Sequence, residues 1–265
     1  MITLTGKKVS EGIAIGKLTF YKRDTKENRR IYVKDVEKEV MRFQKARQKA
    51  ILELKILYDT AAKEVGEANA AIFEMQQAIL EDQDFIDQIT NIIATQKLNA
   101  EYAVQSVAEG FISDAVAKEK DYVQGHDADV KDVANRVLRI LSRGWKDKML
   151  TDEPFVLAAG ELYPSEAVQL DKTKVLGFAT RYGTINSHTA VLARTKGIPS
   201  VIGLGEALKK DYEGKMIIVD GLRKESPLSS DLGRRLRKIT KARRSSLTVL
   251  KARFILSLII LRLPG

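Results

Sequence analysis

The chain has 265 residues, of which 44% are hydrophobic and 30% charged, the composition of a globular protein long enough for about two domains. It has no cysteine, which excludes disulfides and thiolate metal sites and agrees with a reducing, cytoplasmic setting. The net charge of +10 is confined to one end: from Leu222 onward there are 12 Lys/Arg against 2 Asp/Glu, leaving 33 of each before it, so no nucleic-acid surface spread over the body is expected.

The opening "MITLTGKKVSEG" lacks a basic region followed by an apolar run, so no signal peptide is expected. Residues 1–20 read as short strands and turns, with alternation in "IAIGKLTFY". From 34 to 142 proline is absent and apolar residues recur at helical spacing. Val36, Val40, Phe43, Ala50, Leu54, Leu57 and Ala61 share one stripe and predict a long amphipathic helix. Further helices are predicted at about 67–80, 84–95, 99–119 and 127–142. Asn99 is a candidate N-cap, and Val130, Val133, Val137, Ile140 and Leu141 form the buried face of the last helix. An α-helical bundle results.

After "SRGWKDKMLTDEPF" the period shortens. The runs "FVLAA" (155–159), "KVLGFAT" (174–180), "IPSVIG" (198–203) and "KMIIVDG" (215–221) have the look of buried strands. "SHTAVLARTKG" between the second and third reads as a helix capped by Ser187 and ended by Gly197. This strand–loop–helix–strand unit predicts a small α/β domain, whose candidate chemistry lies at the carboxyl ends of its strands. The remaining segment, 222–265, is basic and rich in Leu, Ser and Arg, with its longest apolar run, "FILSLIILRL", about ten residues against the roughly twenty of a membrane helix.

His188 is one of only two histidines, set between Ser187 and Thr189 where the loop becomes a helix. The first turn of a helix favours an anion, and a neutral imidazole is a competent nucleophile near pH 7. Together these point to a histidine that carries a phosphoryl group; simple helix capping is the plainer alternative. A serine hydrolase is disfavoured, because no G-x-S-x-G elbow accompanies Ser187, and zinc is disfavoured because His126 and His188 are the only imidazoles.

"GTINSHTAVLARTKGIPSVIG" (183–203) resembles the active-site signature of Enzyme I of the bacterial phosphoenolpyruvate:sugar phosphotransferase system. "SEGIAIGKLTFY" (10–21), "AAIFEMQQAILEDQDFIDQI" (70–89), "LNAEYAV" (98–104), "DADVKDVANRVLRIL" (127–141) and "YPSEAVQLD" (163–171) are similar to further family segments, so the resemblance spans residues 1–221. It implies a phosphohistidine α/β (swivelling) domain, formed by 1–33 and 143–221, with an inserted helical HPr-binding bundle at 34–142. It also implies that His188 takes a phosphoryl group from phosphoenolpyruvate and passes it to a histidine of HPr, with Ser187, Thr189 and Arg194 in the same motif. Ala78, Ile79, Asp82, Asp84, Phe85 and His126 fall at the family's HPr surface, and the 79–85 segment is expected to face a cleft above His188.

Departures accompany the likeness. The loop "RYGTIN" lacks the family's second glycine and its arginine, Ala167 stands where a threonine is common, and His126 stands where arginine is common. The family continues into a barrel that binds phosphoenolpyruvate and magnesium and forms the dimer. No cofactor or metal, no membrane and a monomer are therefore expected for this chain, with magnesium expected only alongside that barrel. The abrupt composition of 222–265 is what an out-of-frame reading gives, with a basic amphipathic tail as the competing account. This tail is expected to be poorly ordered or a loosely attached helix, its removal leaving the melting temperature nearly unchanged. A truncated, non-catalytic HPr-docking module is the alternative function, and a membrane- or nucleic-acid-binding role through the tail is a third.

Overall fold

A computed structural model describes residues 2–21, 29–117, 127–142, 153–221 and 259–262. Among the described residues five helices make the bundle: α1 (Val36–Val65), α2 (Glu67–Glu81), α3 (Gln83–Gln96), α4 (Ala100–Ala117) and α5 (Asp127–Leu141). Asp35 caps α1 by accepting from the Lys38 N–H, and Asp82 caps α3 by accepting from the Phe85 N–H, so each helix start satisfies one of its orphan donors. The predicted stripe of α1 turns inward, with Phe43, Ala50, Leu54, Leu57 and Ala61 buried. Asn99 does precede α4, yet its side-chain oxygen accepts from the Ile31 N–H; the first amide of α4, at Ala100, is bonded instead by Glu39 from α1. Glu39 and Glu101 both grip Arg42, and these hydrogen bonds raise its pKa further.

Eight strands make one mixed sheet: β1 (Ile2–Thr5), β2 (Lys7–Ser10), β3 (Ile13–Phe20), β4 (Phe155–Ala159), β5 (Val175–Thr180), β6 (Ser200–Ile202), β7 (Met216–Asp220) and β8 (Ile259–Arg262), in the spatial order β1-β8-β7-β3-β4-β5-β6-β2. The pairs β3–β7 and β2–β6 are antiparallel and the others parallel. The two outermost strands, β1 and β2, are separated in sequence by Gly6 alone, so the sheet curls until its edges are spanned by one stretch of chain. Gly6 sits where a Cβ would lie 2.6 Å from the Ile202 carbonyl oxygen, which is why that crossing takes a glycine.

Helices α6 (Pro164–Val168) and α7 (His188–Lys196) connect β4 to β5 and β5 to β6. Strand β4 is buried on both faces, and its alternation sorts the core: Phe155 and Leu157 join the helices' apolar cluster, while Val156 and Ala158 join a second cluster with Leu204, Leu208 and Tyr212. The first cluster runs without a break from Phe43 and Phe73 of the bundle to Phe178 and Ile202 of the sheet.

Four residues of the tail differ from expectation: Ile259–Arg262 form a strand paired in parallel with both β1 and β7. Four apolar and basic residues can do this because a strand between two others needs only backbone partners and β propensity, which Ile-Ile-Leu supplies. The rest of the tail lies outside the described residues. Among the described residues no helix is long and apolar enough to cross a membrane.

Candidate functional site

The site begins at the carboxyl ends of β4 and β5. The chain leaves β5 through Thr180, whose hydroxyl donates to the Tyr182 carbonyl at 2.6 Å, and turns at Gly183, where φ is +123°. The Ser187 hydroxyl accepts from the Ala190 N–H at 3.2 Å and donates to the Thr184 carbonyl at 2.9 Å, so it caps α7 and closes the preceding turn with one oxygen. The helix ends at Gly197 in the left-handed conformation.

His188 is therefore the first residue of α7, as its flanking residues predict. Its Nδ1 lies 3.1 Å from Asp129 Oδ2, a carboxylate contributed by α5 of the bundle. The histidine side chain is 35% exposed and the aspartate 2%, so one partner is open to reagents while the other is locked in place. The hydrogen bond to Asp129 raises the imidazole pKa above its usual value; partial burial opposes it, and the attraction of the carboxylate adds to it.

Next to the first turn of α7, where Ser187, Thr189 and Ala190 form part of its wall, is a cleft of about 300 Å³ lined also by Asp127 and Lys131 from α5, Glu161 after β4, and Thr180, Tyr182 and Thr184 around the end of β5. Lys131 holds Asp127 at 3.2 Å and reaches Glu161 at 3.9 Å, bridging the two lobes across the cleft. Among the described residues no group of three or more His, Asp or Glu side chains is gathered as a metal site.

The other predicted motif residues are placed for support. Thr189 is buried and donates to the Leu162 carbonyl at 2.8 Å, which fixes α7 to the loop after β4. Arg194 is exposed and donates to the Ile185 carbonyl at 3.0 Å, holding the loop that leads into the helix. Ala167 is buried in α6.

On the bundle, Ala78, Asp82 and Asp84 are exposed and Ile79 is half-buried where α2 gives way to α3. Phe85 is fully buried, edge-on to Phe111 with ring centroids 5.4 Å apart, so it supports that surface from beneath and does not line it. The bundle residues that line this cleft come from the start of α5, and none comes from 79–85. A residue at the first turn of α3 that continues the apolar stripe goes to the bundle core, which is where Phe85 is drawn. His126 lies outside the described residues.

Sequence pattern alone does not assign Asp129 to the site, although a signal exists. Asp129, Asp132 and Arg136 recur at three and four along α5, on the helix whose Val133 and Val137 are buried, and all three are themselves buried. Polar residues inside an apolar stripe require partners. Asp132 accepts from the Ser165 hydroxyl at 2.6 Å, from the Ser165 N–H at 2.9 Å and from Gln76 at 3.2 Å, and burial pushes its carboxyl group up. Lys196 adds a further tie, donating to Glu64 of α1 at 2.9 Å and to the Val168 carbonyl.

The chain matches the families described as PEP-utilising enzyme, N-terminal, over residues 5–125 and PEP-utilising enzyme, mobile domain, over residues 151–224. It is 37% identical over 223 residues to a phosphoenolpyruvate-protein phosphotransferase of Bacillus sp. (strain S) and 36% identical over 220 residues to that of Listeria monocytogenes, covering 83% of this chain in both cases. The chain spans 38% of the length of these relatives. An N-terminal domain of the nitrogen Enzyme 1 superposes with a TM-score of 0.58 at 24% identity, a likeness of fold. A solution NMR structure of Enzyme I superposes with a TM-score of 0.66 at 32% identity, over 90% of this chain and 99% of that one, and on that likeness the chain belongs to the Enzyme I family.

Proposed function

We propose that this chain is the phosphohistidine-carrying part of an Enzyme I, exchanging a phosphoryl group between His188 and a histidine of HPr. One observation carries the reading: a half-buried imidazole opens a helix at the carboxyl ends of parallel strands, with Nδ1 against a buried carboxylate and a cleft walled by its neighbours Ser187 and Thr189. A carboxylate at Nδ1 makes that nitrogen the N–H donor, so the nucleophilic lone pair belongs to Nε2.

The transfer then balances without an added reagent. The Nε2 lone pair attacks phosphorus; the N–P bond of phospho-HPr breaks, and its imidazole leaves with the electron pair. His188 retains its Nδ1 proton, and the positive charge that the ring acquires faces Asp129. The work left to the protein is positioning and charge stabilisation. The exposed Ala78, Asp82 and Asp84 with Ile79 supply an acidic and apolar patch suited to a partner with a basic rim around an apolar centre. Use of phosphoenolpyruvate with magnesium belongs, in this reading, to the barrel of a complete Enzyme I.

Incubation with phospho-HPr is expected to leave an acid-labile, base-stable phosphate on the chain. His188→Ala should abolish the label and leave HPr binding intact, whereas His126→Ala should keep the label and at most weaken docking. Phosphoenolpyruvate with magnesium alone should give no label. A label that survives His188→Ala would sink the assignment of the site, and wild-type chain that binds HPr without acquiring label would leave the docking-module reading in its place.

A further inference from the structure

We infer that Asp129 is a positioning residue for His188: although it belongs to the helical bundle, it sets the tautomer and the ring orientation of the histidine on the α/β domain, so the reactive centre is complete only when the two lobes are docked. The inference rests on the phosphohistidine reading above and deepens it.

The geometry is asymmetric in a way that suits this role. Asp129 is 2% exposed and sits in the first turn of α5, and a carboxylate held that rigidly defines a direction for the Nδ1–H bond, 3.1 Å away. One turn further along the same helix, Asp132 is bound by both the N–H and the hydroxyl of Ser165 at the start of α6. Lys196 at the far end of α7 is held by Glu64 of α1. Asp129 thus belongs to a set of polar ties, together with Asp132–Ser165, Lys196–Glu64 and Asn69–Thr195, that set the bundle against α6 and α7, and its own tie ends on an imidazole.

Its chemical effect has two parts. In water a neutral histidine favours the tautomer protonated at Nε2, which would block the nitrogen that must attack; the carboxylate reverses that preference. During transfer the ring becomes cationic as Nε2 bonds to phosphorus, and the same carboxylate stabilises that charge at Nδ1–H. Asp127 and Lys131 on α5 and Glu161 after β4 line the neighbouring cleft, with Lys131 between the two carboxylates. Asp129 is the carboxylate hydrogen-bonded to the ring itself.

The chain's two histidines make the test direct by 15N NMR of the imidazoles. Wild-type His188 should show the Nδ1–H tautomer, and Asp129→Ala should move it towards Nε2–H. Phosphoryl acceptance from phospho-HPr should fall about 100-fold in Asp129→Ala, and the acid limb of its pH–rate profile should move to lower pH. Asp129→Glu should recover part of the rate and the tautomer. Circular dichroism would confirm that the variants are folded, and a binding titration that HPr still docks. A folded Asp129→Ala that keeps both the Nδ1–H tautomer and the wild-type rate would overturn the inference. Absence of label on wild-type chain would instead remove the parent reading, and the tautomer, read without any phosphoryl donor, would still report whether Asp129 sets the ring.

Discussion

The bundle and the sheet differ in how they are assembled from the chain. The bundle is one run from Val36 to Leu141 in which α1 packs on α2 and α4 on α5 and the last helix returns onto the first, whereas the sheet joins residues 2–20, 155–220 and 259–262, with its two edges spanned by the first ten residues. Local assembly makes the bundle's register a matter of helical periodicity. The sheet needs pairings across more than a hundred residues, such as β3 with β4 and with β7. The two lobes share one continuous apolar cluster, and polar contacts from the buried Asp129, Asp132 and Lys196 add ties across it.

That comparison can be broken most forcefully through the core. Phe73 of the bundle and Phe178 of the sheet are buried in one continuous cluster, so each truncation to Ala should cost about 4 kcal/mol and lower a single calorimetric transition. Two transitions, each lowered by only one of the variants, would mean that the lobes melt independently. The polar join comes next: Asp132→Ala removes the acceptor of three hydrogen bonds from Ser165 and Gln76, and chemical denaturation should show a loss of about 3 kcal/mol.

The last strand sharpens the comparison on the sheet side. Ile260→Pro should cost about 2 kcal/mol, because β8 bonds to β1 on one side and β7 on the other and proline cannot donate to either ladder. An unchanged melting temperature would restore the expectation of a dispensable tail. The smallest effect is a pH dependence. The folded-state pKa of His188 is raised above its ordinary value of about 6.5. Its contribution to stability is therefore complete below about pH 6.5 and is lost as pH rises through the folded pKa. Asp129→Ala should flatten the fall in melting temperature over that interval; an unaltered slope would mean the contact does not hold in solution.

Much of this molecule follows from local pattern alone. The stripe of α1, the Ser187 cap and Gly197 stop of α7, and the apolar runs of β4, β5 and β7 are short-range features, decided by which side chains suit a period of 3.6 or 2 and which residues tolerate a helix end. His188 at a helix start is equally local. What tertiary structure alone decided is who meets whom: that Phe85 turns into the bundle, that Ile259–Arg262 enters the sheet, and that Asp129, 59 residues before His188, arrives at its Nδ1. Linear spacing carries no record of such meetings, because they depend on how α5 is set against α7 by the whole of the packing between them. A buried carboxylate in an apolar stripe announces only that it needs a partner; the fold chooses which one.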